Sequence, residues 1–502
     1  MSKFNTLERV VADTVNRAGG EAYTETPEVA LVNLLLTSFM KEKHYESASD
    51  EQKRLDGLLG KVDPKFAAKA GVYARQRFGM RSITHYVGAW IAKNVKGAIW
   101  TGGFFKNLVH RPDDILEVLA CYEAINGKLH PIPAALKRGF AAKLSEIGAY
   151  GLAKYRGDGK KVALVDAVNL LHPRHSEALG KLVKGDLAPA DTWETAISAA
   201  GKVEGGEEAV EAKKTEEWAR LIRDRKLGYF ALIRNIRNIL DANLDDAAFE
   251  EFLDQLKDQK AILKSLVMPF RIIVAYKVVQ VLHNTAEFRR TRRGVHVSQS
   301  SLVGMALSEA MDHALSNAPL LKGKTLVALD RSSSMSTVIN ERCLGKTPVP
   351  ISVSDVGAVF AAALVKMGAD LIVFCNEARY VKVDRIDPIL SIAQRIPNPN
   401  GGTNFHSIFQ TANTSYDRII ILSDMQAWIG GNTPDGTVEA YKRRTSCSPN
   451  IFCFNLASYG DTQFPAHKVY QLAGFSDKVF DTMALLETDR RALVHEIEAL
   501  EL

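Results

Sequence analysis

The segment Thr325-Leu-Val-Ala-Leu-Asp330-Arg-Ser332-Ser-Ser334-Met335 joins an apolar run to a carboxylate and two hydroxyls. The apolar run predicts a buried strand, and the small polar residues after it predict the loop at the strand's carboxyl end. A carboxylate and two hydroxyls in such a loop form a hard-oxygen site, which suits Mg²⁺ or Mn²⁺. We therefore expect Asp330, Ser332 and Ser334 to lie at the edge of a sheet and to bind a divalent cation.

Two further segments extend this candidate site. Gly401-Gly402-Thr403-Asn404 lies in a loop rich in Pro, Asn and Gly, and Asp424 follows the apolar run 418–423. The candidate metal ligands are therefore Asp330, Ser332, Ser334, Thr403 and Asp424. Their order and spacing resemble the metal-ion-dependent adhesion site of von Willebrand factor A domains, with Mg²⁺ as the expected ion and Mn²⁺ as the second choice. The alternative is a polar loop at strand ends without a metal, which the positive charge of Arg331 would favour.

The C-terminal part of the chain alternates strand and helix patterns. Predicted strands span residues 325–330, 370–375, 418–423 and 450–456, and predicted helices span about 353–367, 387–395, 404–414 and 485–501. This alternation predicts a doubly wound, mainly parallel sheet wrapped by helices, with the candidate ligands at its carboxyl edge. We expect an α/β domain over residues 321–502, similar to a von Willebrand factor A domain, with an insertion at residues 337–352.

Residues 1–320 show helical periodicity instead. Apolar residues recur at spacings of three and four in segments such as 29–40 and 134–143, as helix faces that pack on neighbouring helices require. Proline or aspartate stands at several predicted helix starts, as at Asp63-Pro64. Helices of about 10 to 16 residues without a strict repeat period predict an irregular, HEAT-like helical-repeat domain. The segment from Gly201 to Lys214, rich in Gly and Glu, is expected to be an exposed loop.

Composition limits the class of protein. The chain has 502 residues, 46% hydrophobic and 24% charged, which is typical of two or three globular domains. It has no run of roughly 18 or more apolar residues, so we expect no membrane-spanning helix, and the N-terminus lacks the apolar core of a signal peptide. The five cysteines are scattered, and Cys375 and Cys453 are expected to be buried free thiols. These features predict a cytoplasmic protein.

The net charge of +6 is unevenly distributed. Residues 1–320 hold 46 Lys and Arg against 39 Asp and Glu, whereas residues 321–502 hold 18 against 19. Basic residues cluster at 154–161 and at 288–293, where the second cluster contains four arginines. Such clusters are able to contact phosphates, although solvated helix faces produce the same counts.

A helical first half followed by an α/β second half resembles the Ro autoantigen family, whose module is named TROVE after telomerase, Ro and vault. The resemblance is carried by Asn16–Tyr23, by Ala135–Leu144, Lys154–Arg156 and Val168–Pro173, and by Trp218 with Ala231–Ile236. The segments from 135 to 173 resemble the central signature of the family. The stretch between Arg156 and Val162 differs from the animal members.

The resemblance implies a non-catalytic RNA-binding ring. In this family helical repeats form a ring that the α/β domain closes, a small noncoding Y RNA binds the outer surface, and single-stranded 3′ ends of misfolded RNA enter the central hole. Bacterial members are implied to join polynucleotide phosphorylase in RNA decay, and we expect a monomer outside such ribonucleoproteins. The expected RNA-contacting residues are Lys137, Arg138, Lys154, Arg156, Lys160, Lys161, His172 and Arg174. The alternative for each is a solvated surface charge, and for His172 a helix cap or a core residue.

Two other functions compete with RNA binding. The α/β domain alone could be the functional part, a scaffold without RNA that captures an acidic side chain of a partner protein through its metal. A metal-dependent nuclease is disfavoured, because only two of the five candidate ligands are carboxylates and two-metal hydrolytic sites usually gather more acids. The sequence also lacks a Gly-x-x-x-x-Gly-Lys phosphate loop. His406, which follows Thr403 closely, is expected to lie along a helix rather than to act as a base.

Overall fold

A computed structural model describes residues 14–15, 21–22, 26–37, 48–284, 295–344, 347–427, 429, 435–456, 469–473, 480, 483, 486–487 and 492–502. The arginine-rich segment 288–293 and most of the family-like segment 16–23 lie outside these ranges. Within them, no helix has the length and apolarity that crossing a membrane requires.

The first part of the chain is built from helices with short connections. Their bounds are α1 Pro27–Thr37, α2 Ala48–Leu59, α3 Pro64–Arg77, α4 Ser82–Asn94, α5 Thr101–Leu108, α6 Pro112–Asn126, α7 Ala134–Glu146, α8 Ala149–Lys154, α9 Leu164–Leu171, α10 Glu177–Lys184, α11 Trp193–Ala200, α12 Gly206–Arg223, α13 Tyr229–Arg234, α14 Ile236–Asp241, α15 Asp246–Lys257, α16 Gln259–Ser265, α17 Pro269–Asn284 and α18 Val295–Ala314. A small antiparallel ladder of β1 Thr14–Val15 and β2 Glu21–Ala22 precedes them. Helices pack on near neighbours, α4 on α6, α5 on α7 and α17 on α18, as the repeat pattern predicts.

Several helices begin where the sequence predicts a helix start. Helix α3 begins at Pro64, and the carboxylate of Asp63 accepts hydrogen bonds from the N–H groups of Lys65 and Phe66 at 3.0 and 2.9 Å. Proline also occupies the first position of α6, at Pro112. Because a helix start leaves its first N–H groups unpaired, proline fits there without losing a hydrogen bond.

One expectation about this half is wrong. Residues 206–214, expected to belong to an exposed loop, form the first turns of helix α12. Glu207 and Glu208 lie in its first turn, where the positive end of the helix dipole stabilises carboxylates. Further along, Trp218 is buried and stacks on Trp193, with 5.9 Å between the ring centroids. The glutamates therefore mark a helix start rather than a loop.

The second part of the chain is a six-stranded sheet flanked by helices. Its strands are β3 Thr325–Asp330, β6 Asp370–Phe374, β7 Ala378–Tyr380, β8 Arg418–Ser423, β9 Asn450–Asn455 and β10 Val469–Ala473. The helices are α19 Val353–Lys366, α20 Ile389–Arg395, α21 Phe405–Thr411, α22 Asp435–Thr445 and α23 Ala492–Glu498. A separate antiparallel hairpin of β4 Val338–Leu344 and β5 Thr347–Ser352 occupies the expected insertion. The strand order is β10-β9-β8-β3-β6-β7, and every neighbouring pair is parallel except β6 with β7.

The four strands that the sequence predicts are confirmed, each to within one residue at either end. Strands β3 and β8 are buried at every position, because both faces of the sheet are covered. One face packs on α21 and α22, and the other belongs to a core that continues into the helical half. The predicted mainly parallel sheet is therefore present, with the short strands β7 and β10 added at its edges.

Among the described residues, the two parts of the chain contact each other at two separate places. At one of them, Lys277 of α17 pairs with Asp355 of α19 at 2.8 Å. At the other, the hydroxyl of Tyr73 in α3 donates to Glu496 of α23 at 3.2 Å, and α1 lies against β10. Helices near both ends of the first part, α1 and α3 at one end and α17 at the other, thus contact the α/β part. The contacts therefore form a closed circuit along the chain.

Candidate oxygen-rich site and basic surface

The carboxyl ends of strands β3 and β8 bring Asp330 and Asp424 to the same edge of the sheet. Leu329 pairs with Leu422 in the parallel ladder, so Asp330 stands beside Ser423, and Asp424 follows directly. Both carboxylates are fully buried. The structure thus brings the two acidic candidates together at a strand edge.

The two serine candidates lie in the loop that follows β3. The N–H of Ser332 donates to Asp330 Oδ1 at 2.8 Å, and the hydroxyls of Ser332 and Ser334 are 3.2 Å apart. A 3₁₀ turn spans Ser333–Ser336, and both candidate serines are buried. The alternating hydroxyls therefore form a compact cluster beside the carboxylate.

Thr403 lies in a second loop, which is bonded to the first. The N–H of Ser333 donates to the carbonyl of Gly401 at 2.9 Å, and the N–H of Gly401 donates to the Ser333 hydroxyl at 3.3 Å. The N–H of Asn404 donates to the carbonyl of Cys375, which follows β6, at 2.9 Å. Thr403 itself is buried. Its loop is therefore anchored both to the serine loop and to the end of β6.

Arg331, whose charge would favour a site without metal, donates its hydrogen bonds to uncharged oxygens. Its guanidinium donates to the carbonyls of Pro397 and Ile396 at 3.2 and 3.1 Å, and to the hydroxyl of Ser354. Within the described part of the chain it forms no ion pair with the two carboxylates of the site. The hydrogen bonds of the guanidinium are therefore made to groups other than the two carboxylates.

The two buried carboxylates form no ion pair with a described cationic side chain, although Asp330 interacts electrostatically with the neighbouring Arg331. Burial raises the pKa of Asp330, and the negative charge of Asp424 raises it further. Burial also raises the pKa of Asp424, although the Ser334 hydroxyl opposes this shift. Asp424 Oδ2 accepts no hydrogen bond from the residues that the structure describes. A divalent cation would neutralise both charges and use this oxygen, so the donor set fits a hard cation.

Sequence reasoning missed one oxygen of this site. The hydroxyl of Ser423 donates to Asp330 Oδ2 at 2.5 Å and accepts from the N–H of Met425 at 3.0 Å. The available signal was a serine at the end of a predicted strand, directly before Asp424. Among the described residues, no group of three or more His, Cys, Asp or Glu side chains is placed to hold a metal ion, so hydroxyls would supply much of any coordination here.

Two of the basic candidates are paired with acids of α6. Lys160 Nζ lies 2.6 Å from Glu117, and Lys161 Nζ lies 2.9 Å from Glu123. Both lysines are nevertheless exposed. Exposed ion pairs contribute about 0–1 kcal/mol, so a phosphate is able to replace the carboxylate at little loss of stability.

Two other basic candidates have contacts within the protein. The guanidinium of Arg156 donates to the carbonyl of Leu187, and its Nε is buried without a hydrogen-bond partner among the described residues. Lys154 Nζ lies 5.8 Å from the ring centroid of Tyr150 and 5.9 Å from that of Tyr155. Arg156 therefore joins α8 to the connection after α10, whereas Lys154 lies half-buried beside two aromatic rings.

The remaining basic candidates lie on α7 and on the turn after α9. Arg138 is exposed and Lys137 is half-buried on α7. His172 ends α9 in the left-handed conformation, with φ of 52°, and its ring is exposed. The N–H of Arg174 donates to the hydroxyl of Ser145 at 3.0 Å, which holds this turn against the end of α7. The backbone of His172 therefore caps the helix, and its side chain remains accessible.

A buried charge network that the sequence did not reveal joins α3, α4 and α6. Asp114 accepts hydrogen bonds from Arg75 at 2.9 to 3.1 Å, and it lies 2.8 Å from His85 Nε2. The N–H of Arg111 also donates to it, at 2.8 Å. Burial raises the pKa of Asp114, but His85 and Arg75 outweigh burial and hold the pKa below its usual range. The network thus holds α3, α4 and the start of α6 together, and these helices precede the basic candidates on α7 and after α9, which we call the basic surface.

Comparisons with known protein families match the helical half. The TROVE domain family model matches residues 22–187 and 164–313. Telomerase protein component 1 of Rattus norvegicus is 21% identical over 341 residues, which are 50% of this chain and 12% of that protein. The protein of the same name from Mus musculus is 22% identical over 347 residues, which are 51% of this chain and 13% of that protein. The chain therefore spans about an eighth of the length of these curated relatives.

A comparison with solved structures extends over both halves. The crystal structure of the Deinococcus radiodurans RO (RSR) protein is similar over 91% of this chain and 99% of that chain, with a TM-score of 0.61 and 19% sequence identity. At this identity the likeness establishes the fold. The helical part and the sheet part are therefore combined here as they are in one solved protein.

Proposed function

The chain belongs to the TROVE domain family, and on this premise we propose that it is a non-catalytic RNA-binding protein of the Ro type. The observation that carries the proposal is that basic side chains on α7 and on the turn after α9 are exposed, namely Arg138, His172 and Arg174, inside the span of the TROVE match. Arg138 and Arg174 form no ion pair with the rest of the described chain. Exposed cations of this kind bind phosphates with release of counterions.

We further propose that the bound RNA is a small noncoding, Y-like RNA on the outer surface, and that single-stranded 3′ ends of misfolded RNA enter a central opening. The circuit of contacts supports a ring, because both ends of the helical part meet the α/β part. An opening that admits only one strand would select frayed ends by shape. A partner nuclease such as polynucleotide phosphorylase would degrade the captured RNA.

A binding role for the α/β part is supported by the oxygen-rich site, which we propose holds Mg²⁺, or Mn²⁺ in its place, as in a von Willebrand factor A domain. The residues that would hold the ion are Asp330, Ser332, Ser334, Thr403 and Asp424. Support comes from two buried carboxylates without a paired cation and from the unused oxygen of Asp424. A bound cation would supply positive charge at the strand edge and a position for an acidic side chain of a partner protein. His406 is bonded to the hydroxyl of Thr437 at 2.8 Å, which favours binding over hydrolysis.

A protein scaffold without RNA is the alternative function. The unused oxygen of Asp424 favours it, because a metal there could capture a partner without any part of the basic surface. Nucleic acid that co-purifies with the protein, seen as a raised ratio of absorbance at 260 nm to 280 nm, would count against this alternative.

Fluorescence anisotropy with a labelled, structured RNA that carries a single-stranded 3′ tail tests RNA binding. We expect Arg138→Glu combined with Arg174→Glu to weaken binding roughly tenfold or more at moderate salt, with a shallower dependence of log Kd on log salt. Lys382→Glu with Arg443→Glu is the matched control, since both residues are exposed in the α/β half. Failure of the wild type to bind this RNA at low salt, or equal affinity of the Arg138 and Arg174 variant, would overturn the proposal.

A further inference from the structure

A row of alternating cationic and aromatic side chains runs from α8 to the residue that precedes α6. The guanidinium of Arg111 is 4.9 Å from the ring centroid of Tyr155. Lys154 Nζ is 5.9 Å from that ring and 5.8 Å from the ring of Tyr150. We call Arg111, Tyr155, Lys154 and Tyr150 the cation–aromatic row. Contacts to phosphate need only its two cations, so its two rings have no role in the function described above.

The inner end of the row is fixed. The side chain of Arg111 donates to both carboxylate oxygens of Asp113, at 3.0 and 2.6 Å. Arg81 donates to the same carboxylate at 2.6 Å, which ties the N-terminus of α4 to this point. Tyr155 directly follows α8, and the next residue, Arg156, is bonded to the connection after α10. Asp113 therefore fixes Arg111, and the bond of Arg156 fixes the backbone next to Tyr155, so both residues of this contact are held in place.

The outer end of the row is open. Tyr150 is 58% exposed, and its hydroxyl has no hydrogen-bond partner in the described part of the chain. Much of its ring therefore meets water, and the side chain contributes little apolar burial to the fold. The turn of Arg174 is bonded to Ser145, which shortly precedes Tyr150, so an exposed cation belongs to the same corner.

From this geometry we propose that Tyr150 is a stacking site for an unpaired nucleobase of bound RNA, with Lys154 beside the adjoining phosphate. The inference rests on the proposed RNA binding and adds to it a contact with the base. Aromatic rings bind bases through their faces, and every base has such a face, so the contact tolerates sequence. The base must be unpaired, because bases within an A-form duplex are already stacked on their neighbours.

Anisotropy titrations of the full chain with a short, labelled, single-stranded oligoadenosine test this site. Tyr150→Leu removes the ring but keeps an apolar side chain, and we expect roughly tenfold weaker binding. Tyr150→Phe keeps the ring face and should bind as the wild type does. Phe230→Leu is the matched control, because Phe230 is an aromatic residue that is 46% exposed on α13. Since Tyr150 and Phe230 are exposed, the Tm should not change in these variants.

A second RNA separates stacking on the base from contact with the backbone. An abasic strand of the same length should bind the wild type and Tyr150→Leu equally, and the slope of log Kd against log salt should be the same for both. If the wild type binds oligoadenosine and Tyr150→Leu binds it equally well, the stacking site is wrong while RNA binding stands. If Tyr150→Leu loses the abasic strand as strongly, the residue acts on the backbone and the stacking site is again wrong. If the wild type binds neither strand, RNA binding itself fails.

Discussion

Two groups of buried carboxylates in this molecule have opposite surroundings. Asp114 in the helical half is bonded to Arg75, His85 and backbone N–H groups, whereas Asp330 and Asp424 lie together without a paired cation in the described structure. Accordingly, the pKa of Asp114 is held below its usual range, and burial raises the pKa of the other two carboxylates. Removing a carboxylate from a complete set of buried partners is costly, whereas a buried pair of carboxylates without an ion-paired cation fits the divalent cation that we propose.

Removal of Asp114 is expected to have the largest effect. Asp114→Ala would leave Arg75, which is 3% exposed, and His85 without their carboxylate, and it should lower the free energy of unfolding by about 3–5 kcal/mol. Urea denaturation followed by circular dichroism measures the change. Asp158→Ala, at an exposed position, is the control and should change the free energy by less than about 0.5 kcal/mol. A loss no larger than that of the control would contradict a structural role for Asp114.

At the oxygen-rich site, removal of a buried carboxylate should not lower the free energy of unfolding in the absence of metal. Asp424→Asn removes one of two buried negative charges, so in EDTA the variant should be at least as stable as the wild type. Mg²⁺ at a hundred times its Kd should stabilise the wild type by about 2.7 kcal/mol and leave the variant unchanged. Thermal unfolding with EDTA, with Mg²⁺ and with NaCl of equal ionic strength measures both effects. A wild type that responds to Mg²⁺ no more than to NaCl would argue against the metal.

The oxygen-rich site could be predicted from the sequence because short segments form it. The N–H of Ser332 bonds to Asp330, two residues earlier, and the N–H of Gln426 bonds in the same way to Asp424. The strands before these segments are buried throughout, so apolar runs locate their ends closely. Parallel order then brings the ends to one edge of the sheet. The apolar strand pattern and the geometry of a parallel sheet are therefore sufficient to predict that these side chains lie together.

The charges of the helical half could not be predicted in this way. Asp114 meets His85 and Arg75 across 29 and 39 residues, and Lys160 meets Glu117 across 43. Helical periodicity shows which face of a helix is buried, but not which neighbour that face meets. The edge strand β7 was not predicted, for a similar reason. It is only three residues long, and it forms by pairing with β6 rather than from a strand pattern of its own.

The smallest expected effect concerns pH and tests the sign of the Asp114 shift. Because the folded-state pKa of Asp114 is lowered, its stabilisation is complete above the unfolded-state pKa of roughly 4 and is lost as the pH falls toward the folded-state value. The difference in unfolding free energy between wild type and Asp114→Asn should therefore shrink by about 1 kcal/mol between pH 5 and pH 3. Urea titrations at both pH values measure it, with Asp158→Asn as the control. A difference that grows on acidification would mean that burial governs Asp114 more than Arg75 and His85 do, and the contrast with the oxygen-rich site would disappear.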